Sequence, residues 1–331
     1  MKKISLTGIK PTGELHIGNF FGAIKPALEL ANEYDARYSI ADYHGLNTMK
    51  DPKELNSNTR HVAAGWLASG LDPEKVIFYR QSSISEVFEL TVMLTAFTSK
   101  GLMNRAHAYK DAVQKNIEKG DDNDAGVNVG LFTYPILMAA DIIIFDSDVV
   151  PVGKDQVQHI EMAADIAQSV NANYGQQVLK VPQAAVQENV AVVPGLDGRK
   201  MSKSYGNVIP LFAPEKNLRK TIMRITTNSQ SVEEPKDPLT SQIFQLYKLF
   251  ADNNEQDALA GRYRAGGMGW GEAKEELFCV VNRCLTPIRE RYDAIMADIP
   301  LLDKILQQGA DKARPIAAAT VKRFRKAAGV D

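Results

Sequence analysis

Hydrophobic and polar positions divide this chain into two regimes. In the first half, short β-rich runs alternate with stretches of helical period: "KKISLTG" (Lys2–Gly8), "RYSIAD" (Arg37–Asp42) and "KVIFYR" (Lys75–Arg80) read as strands. Between them, His16–Tyr34 and Pro52–Ser69 repeat apolar residues at helical spacing, and Pro26 predicts a kink or early break in the first. "DIIIFD", followed by "VVPVG", reads as a further strand or buried turn feeding the helix of "DQVQHIEMAADIAQSVN". This alternation predicts an α/β fold with a parallel, doubly wound sheet and ligand sites at the carboxyl ends of its strands. Past about Pro210 the strand signals fade, and "SQIFQLYKLFA", "EAKEELFCVVNRCLTPIRERYDAIMAD" and the final segment carry helical patterns. The expected organisation is an α/β domain over 1–210 and an α-helical domain over 211–331. The polar run Glu118–Asn128 is expected to be an exposed, mobile loop.

Composition narrows the class. With 331 residues, 44% of them hydrophobic, the chain can bury a substantial core in about two domains, which excludes disordered and fibrous proteins. Thirty-nine Lys and Arg stand against 40 Asp and Glu, so nucleic acid is not held by bulk basicity, although a local basic patch remains open. No apolar stretch reaches the roughly 18 residues that span a bilayer, and the expectation is a cytoplasmic protein with no membrane partner. Cys279 and Cys284 match neither CxxC nor a zinc framework and read as packed thiols.

Two segments carry candidate chemistry. "LTGIKPTGELHIGN" brings His16, Gly8, Gly13 and Gly18 to a helix start, where backbone N–H groups and the helix dipole favour an anion. Glycine-rich turns also serve ordinary packing, so this segment alone is weak. "GRKMSKS" gathers two lysines and two serines on a short loop, suited to a polyphosphate but equally to a solvated basic turn. Asp141 is a carboxylate inside the apolar run "TYPILMAADIIIF" and needs a donor, because an unpaired buried charge is costly. On the residues alone, a cap or internal salt bridge accounts for it.

Taken together, "TGIKPTGELHIGN", "TYPILMAADIIIFDSDVVPVGKDQVQHIE" and "GRKMSKS" resemble, in order and over almost the whole chain, the class I aminoacyl-tRNA synthetases, in particular the bacterial tryptophanyl branch. "HIGN" departs from the family's HIGH at its last position, as is familiar in that branch. The resemblance implies a Rossmann-like catalytic domain, an anticodon-binding helical domain, and activation of tryptophan by ATP followed by transfer to tRNA(Trp). It implies catalytic roles for Lys200, Lys203, His16 and Asn19, with Lys200 and Lys203 stabilising leaving pyrophosphate and Ser202 and Ser204 holding the phosphates or the loop. Lys10, Pro11, Thr12, Gly18, Gly153, Lys154, Asp155, Val192 and Met201 complete the implied ATP set, with Asp155 accepting from ribose hydroxyls and the backbone near Val192 meeting adenine. Asp141 would accept the indole N–H, and Tyr134 and Gln156 would hold the amino-acid head group. Leu6, Met138, Val150 and Val152 would form the slot around the ring, with His44 also in the tryptophan set. Mg²⁺ is implied on the phosphates; no zinc or iron–sulfur cluster is expected.

Lys10, Tyr43 and Ala164 depart from residues common in bacterial relatives. These changes leave the chemistry intact but bear on substrate affinity, inhibitor response or the dimer contact. The resemblance implies a homodimer formed largely by a segment near 82–128, which the apolar helix "VFELTVMLTAF" would suit, although burial in its own domain is the default reading. Lys312, Arg314, Lys322, Arg323, Arg325 and Lys326 could contact tRNA phosphates or form a solvated helix face. A tyrosyl-tRNA synthetase, another nucleotidyl-transferring enzyme and a noncatalytic paralogue binding tryptophan or RNA are the alternatives.

Overall fold

The structure, a computed structural model, describes residues 2–186 and 192–331, and the Asp155 side chain lies outside the described residues. Its sheet has five parallel strands, β1 (Ile4–Ile9), β2 (Asp35–Ile40), β3 (Ile77–Arg80), β4 (Val149–Val152) and β5 (Gln183–Val186), in the order β3-β2-β1-β4-β5. The chain runs outward from β1 to β3, then returns to β1's other side for β4. That reversal opens a crevice beyond the carboxyl ends of β1 and β4. In β2 every residue after Asp35 is buried, as expected of a strand covered on both faces.

The helical stretch after β1 breaks, as Pro26 led us to expect. A single turn α1 (Ile17–Asn19) passes into a π-helical segment, Phe20–Ile24, before α2 (Lys25–Leu30), with Pro26 in the first turn of α2. Proline has no N–H to continue an α-helical ladder, and the widened turn accommodates it. After β2 come the short α3 (Asp42–Gly45) and α4 (Pro52–Ala68), started by Asp51, whose carboxylate accepts from the Lys53 N–H. Between β3 and β4 lie α5 (Glu86–Thr95), α6 (Lys100–Asn104), α7 (His107–Lys119) and α8 (Val129–Ile143).

Here the sequence reading holds in part. Of "DIIIFD" and "VVPVG", Val149–Val152 form β4, the strand that leads into the next helix, but Asp141 to Ile143 end α8, and the next three residues turn the chain toward β4. Burial on all sides erases the periodicity that would have distinguished a helix end from a strand. The loop beyond α7 is exposed, and its tip is pinned by the Asn116 side chain, which donates to the Asn123 and Ala125 carbonyls at 3.0 and 2.9 Å.

α9 (Val157–Tyr174) connects β4 to β5. Helices α10 (Glu215–Met223), α11 (Gln242–Tyr247), α12 (Asn253–Ala265), α13 (Trp270–Ala297) and α14 (Ile299–Ala328) follow. Two apolar cores cover the faces of the sheet, and α14 enters both. Leu302 and Leu306 join one; Ala310, Ala313, Ala317, Val321 and Phe324 join the other. The crossing occurs at Gly309, packed against the Phe78 backbone of edge strand β3. Covering an edge this way removes a template for strand addition.

This course assigns roles to the basic residues of α14. Arg323 pairs with Asp146 and donates to the Val178 carbonyl; Arg325 pairs with Glu89. Arg314 donates to the Ser83 carbonyl at 2.6 Å and Lys312 to that of Pro73 at 3.3 Å. These four clamp the helix to the rest of the chain, while Lys322 and Lys326 are exposed.

Candidate active site

At the β1/β4 crevice lies a cavity of about 720 Å³, within the size range of small-molecule sites. β1 and its following loop contribute Leu6, Gly8 and Lys10; α3 contributes His44; β4 and the turn after it contribute Val150, Val152, Gly153 and Gln156. From α8 come Tyr134, Met138 and Asp141, spaced by four and then three residues and so projecting from one helix face. All eight residues assigned to tryptophan thus line one cavity, joined by Lys10, Gly153 and Lys200 from the nucleotide set. Val192 does not line it and is exposed.

Asp141 is buried, and its donors are explicit. Gln81 Nε2 lies 2.9 Å from Oδ1 and 2.7 Å from Oδ2, and His44 Nε2 lies 3.2 Å from Oδ2. The carboxylate therefore neither caps its helix nor meets an Arg or Lys: it sits at the cavity wall, held by neutral or titratable donors. Tyr134 is positioned by His159, whose Nε2 lies 3.2 Å from the phenolic oxygen. Burial pushes the Tyr134 phenol up from its ordinary value, keeping it a neutral hydroxyl.

The "HIGN" and "KMSKS" segments meet beside this cavity. His16 is at once a helix cap and part of the site: its Nδ1 accepts from the Asn19 N–H at 3.2 Å, and Asn19 Oδ1 accepts from the His16 N–H at 3.1 Å. That bond fixes the neutral tautomer with hydrogen on Nε2. Burial, then the charge of Lys203, lower the His16 pKa to about 4, so the ring is an uncharged donor near neutral pH. Gly18 N–H donates to Met201 Sδ at 3.3 Å; a Cβ on Gly18 would stand 2.9 Å from His16 Nδ1 and 3.3 Å from Met201 Cβ. Close approach of the two segments requires glycine there.

Lys203 Nζ donates to the Thr12 carbonyl at 2.6 Å, and partial burial lowers its pKa, with Glu14 opposing. Ser202 and Ser204 bond to each other through their hydroxyls at 2.8 Å. Sequence reasoning missed the residue that shapes this loop, buried Asn207. Its Oδ1 accepts from the Ser202 N–H at 2.8 Å, and its Nδ2 donates to Asp197 at 2.7 Å and to the Lys200 carbonyl at 3.2 Å. It also missed Gln81 and His159. An asparagine three residues after "KMSKS" was the one visible sign of the first; nothing local marks the other two.

Comparison with known proteins agrees with this geometry. Residues 2–286 match the family described as tRNA synthetases class I (W and Y). The chain is 50% identical over 329 residues to the tryptophan–tRNA ligase of Pseudomonas aeruginosa, covering 98% of this chain and 73% of that one. It is 48% identical over 332 residues to that of Neisseria meningitidis, covering 99% and 98%. Among solved structures it resembles the tryptophanyl-tRNA synthetase of Campylobacter jejuni complexed with ADP and tryptophan, with a TM-score of 0.92 and 44% identity over 98% of this chain and 99% of the other.

Proposed function

This chain belongs to the class I tRNA synthetases of the tryptophan and tyrosine group and is a tryptophan–tRNA ligase, and on that premise we propose how its residues divide the reaction. ATP enters as its Mg²⁺ complex, with the ion carried on the phosphates. The tryptophan carboxylate attacks the α-phosphorus, a P–O bond to the β,γ-phosphates breaks, and pyrophosphate leaves. The adenylate carbonyl is then attacked by a terminal hydroxyl of tRNA, and AMP departs.

In the first step Lys200 and Lys203 neutralise charge developing on pyrophosphate, where fixed cations act more strongly than water. Lys203 Nζ spends one of its three N–H donors on the Thr12 carbonyl, which leaves two for the phosphates. His16 Nε2–H and Asn19 line the nucleotide opposite, with Lys10, Pro11, Thr12, Gly18, Gly153, Lys154 and Asp155 around it. Met201, Ser202 and Ser204 complete the phosphate loop. Tyr134 and Gln156 hold the amino-acid head group; His44 and Asp141 face the indole, with Leu6, Met138, Val150 and Val152 around the ring.

One observation supports this reading above the rest: the buried carboxylate of Asp141 and the cation Lys200 border the same cavity, so one compartment can seat both an N–H-bearing ring and a triphosphate. We further propose that residues 211–331 read the anticodon, that the enzyme works in the cytoplasm, and that the segment near 82–128 joins two copies. Phe88, Val92 and Ile117 expose apolar surface there, at 43%, 69% and 53%. ATP–pyrophosphate exchange with each of the twenty amino acids, with Mg²⁺ and without tRNA, tests the reaction and its substrate together. Exchange with tryptophan alone is expected; exchange driven by tyrosine would overturn the pocket assignment, and none at all would overturn the mechanism.

A further inference from the structure

Gln81 does not line the cavity, yet no other side chain donates to both oxygens of Asp141 among the described residues. It is fully buried in the one-turn segment Gln81–Ser83 that follows β3. Its amide can point only one way: Oε1 accepts from the Tyr43 N–H at 3.1 Å, which leaves Nε2 facing the carboxylate. The segment itself is fixed from two sides. Asp42 accepts from the Ser82 N–H at 3.0 Å and the Ser82 hydroxyl at 2.5 Å, and Arg314 of α14 reaches the Ser83 carbonyl.

Counting acceptor sites shows what this arrangement achieves. Each carboxylate oxygen has two lone pairs. Oδ2 receives Gln81 and, when the His44 Nε2 bears hydrogen, His44; among the described residues Oδ1 receives Gln81 alone. One acceptor site on Oδ1 remains open. We propose that Gln81 is the positioning residue for tryptophan selection: by holding both oxygens of Asp141 it fixes the carboxylate plane, so that Oδ1 presents its open site to the indole N–H. This rests on the assignment of Asp141 to the indole made above. Without Gln81 the contact of His44 at Oδ2 is what restrains the carboxylate among the described residues, Oδ1 loses its donor, and part of the binding energy goes to ordering the group.

A double-mutant cycle in the ATP–pyrophosphate exchange assay separates this role from general packing. Gln81→Met keeps the length of the side chain and removes the donor. It is expected to raise KM for tryptophan about 10- to 100-fold, the range for a hydrogen bond to a charged group, with KM for ATP nearly unchanged. In an Asp141→Ala background the same change should alter KM for tryptophan by no more than about 2-fold, because the carboxylate through which Gln81 acts is gone. Equal factors in both backgrounds would reduce Gln81 to a packing residue and overturn the proposal while leaving the Asp141 assignment standing. An unchanged KM in Asp141→Ala alone would overturn both. Should Gln81→Met fail to fold, Gln81→Glu retains the acceptor for Tyr43 and sets a second carboxylate against Asp141; it is expected to raise KM at least as far, and an unchanged KM would count against the proposal.

Discussion

Replacing Gly309 by alanine adds one methyl group at the point where α14 crosses the sheet edge. Its Cβ would overlap the Phe78 carbonyl oxygen and stand 2.6 Å from the carbonyl carbon, against a comfortable separation of about 3.5 Å. The obstacle is strand backbone hydrogen-bonded into the sheet, so the helix must withdraw by about 1 Å. Four large buried side chains on α14, namely Leu302, Leu306, Val321 and Phe324, move with it. At ~2 kcal/mol of burial each, and with about a quarter to a half of their contact energy forfeited by such a gap, the loss is about 2–4 kcal/mol. Alanine's better helix propensity returns up to about 1 kcal/mol. A net loss of about 1–3 kcal/mol, with an unfolding entropy of about 0.7 kcal/mol/K for a chain of this size, lowers Tm by about 1–4 °C. Thermal unfolding followed by circular dichroism measures this, with Gly261→Ala as control. Gly261 lies inside α12 with open space where its Cβ would be, and its substitution is expected to stabilise slightly. A Gly309→Ala protein as stable as its parent, or more stable, would show that α14 does not pack against β3 as described.

Asp141→Ala removes the indole acceptor and strips Gln81 Nε2 of its partner; KM for tryptophan should rise at least about 10-fold while ATP binding changes little, and equal losses for both ligands would refute the assignment. Lys203→Ala should lower the rate of adenylate formation by about 10²–10³ with a smaller effect on tryptophan binding, measured in single-turnover experiments, and an unchanged rate would remove it from the mechanism. His16 carries a folded-state pKa near 4 against 6.5 for the free side chain, so the unfolded chain binds more protons between those values and stability falls as pH drops from 6.5 to 4. The full difference is about 3 kcal/mol. His16→Asn, which can still cap the helix, should flatten that part of the stability profile in urea titrations; an identical profile would contradict the burial of His16.

Local sequence determined the first three strands, because β-branched and aromatic runs bounded by turn residues leave few alternatives, whereas the four residues of β5, Gln183–Val186, carry no such run. It also determined the break at Pro26, a matter of one missing N–H. The paired "HIGN" and "KMSKS" segments and the Asp141 run were legible too, since charge and glycine stand out where the chemistry needs them. The composition of α14 announced a basic surface, but the pairing of four of those cations with Glu, Asp and backbone carbonyls depends on where a thirty-residue helix lands. Gln81, Asn207 and His159 look like ordinary polar residues in the sequence. Their roles come from partners 60, 10 and 25 residues away, and hydrogen bonds at such separations exist only once the fold has brought the partners together. The same holds for Gly309, which reads as a weak point within a helix and is instead the one residue type small enough to let that helix pass the edge of the sheet.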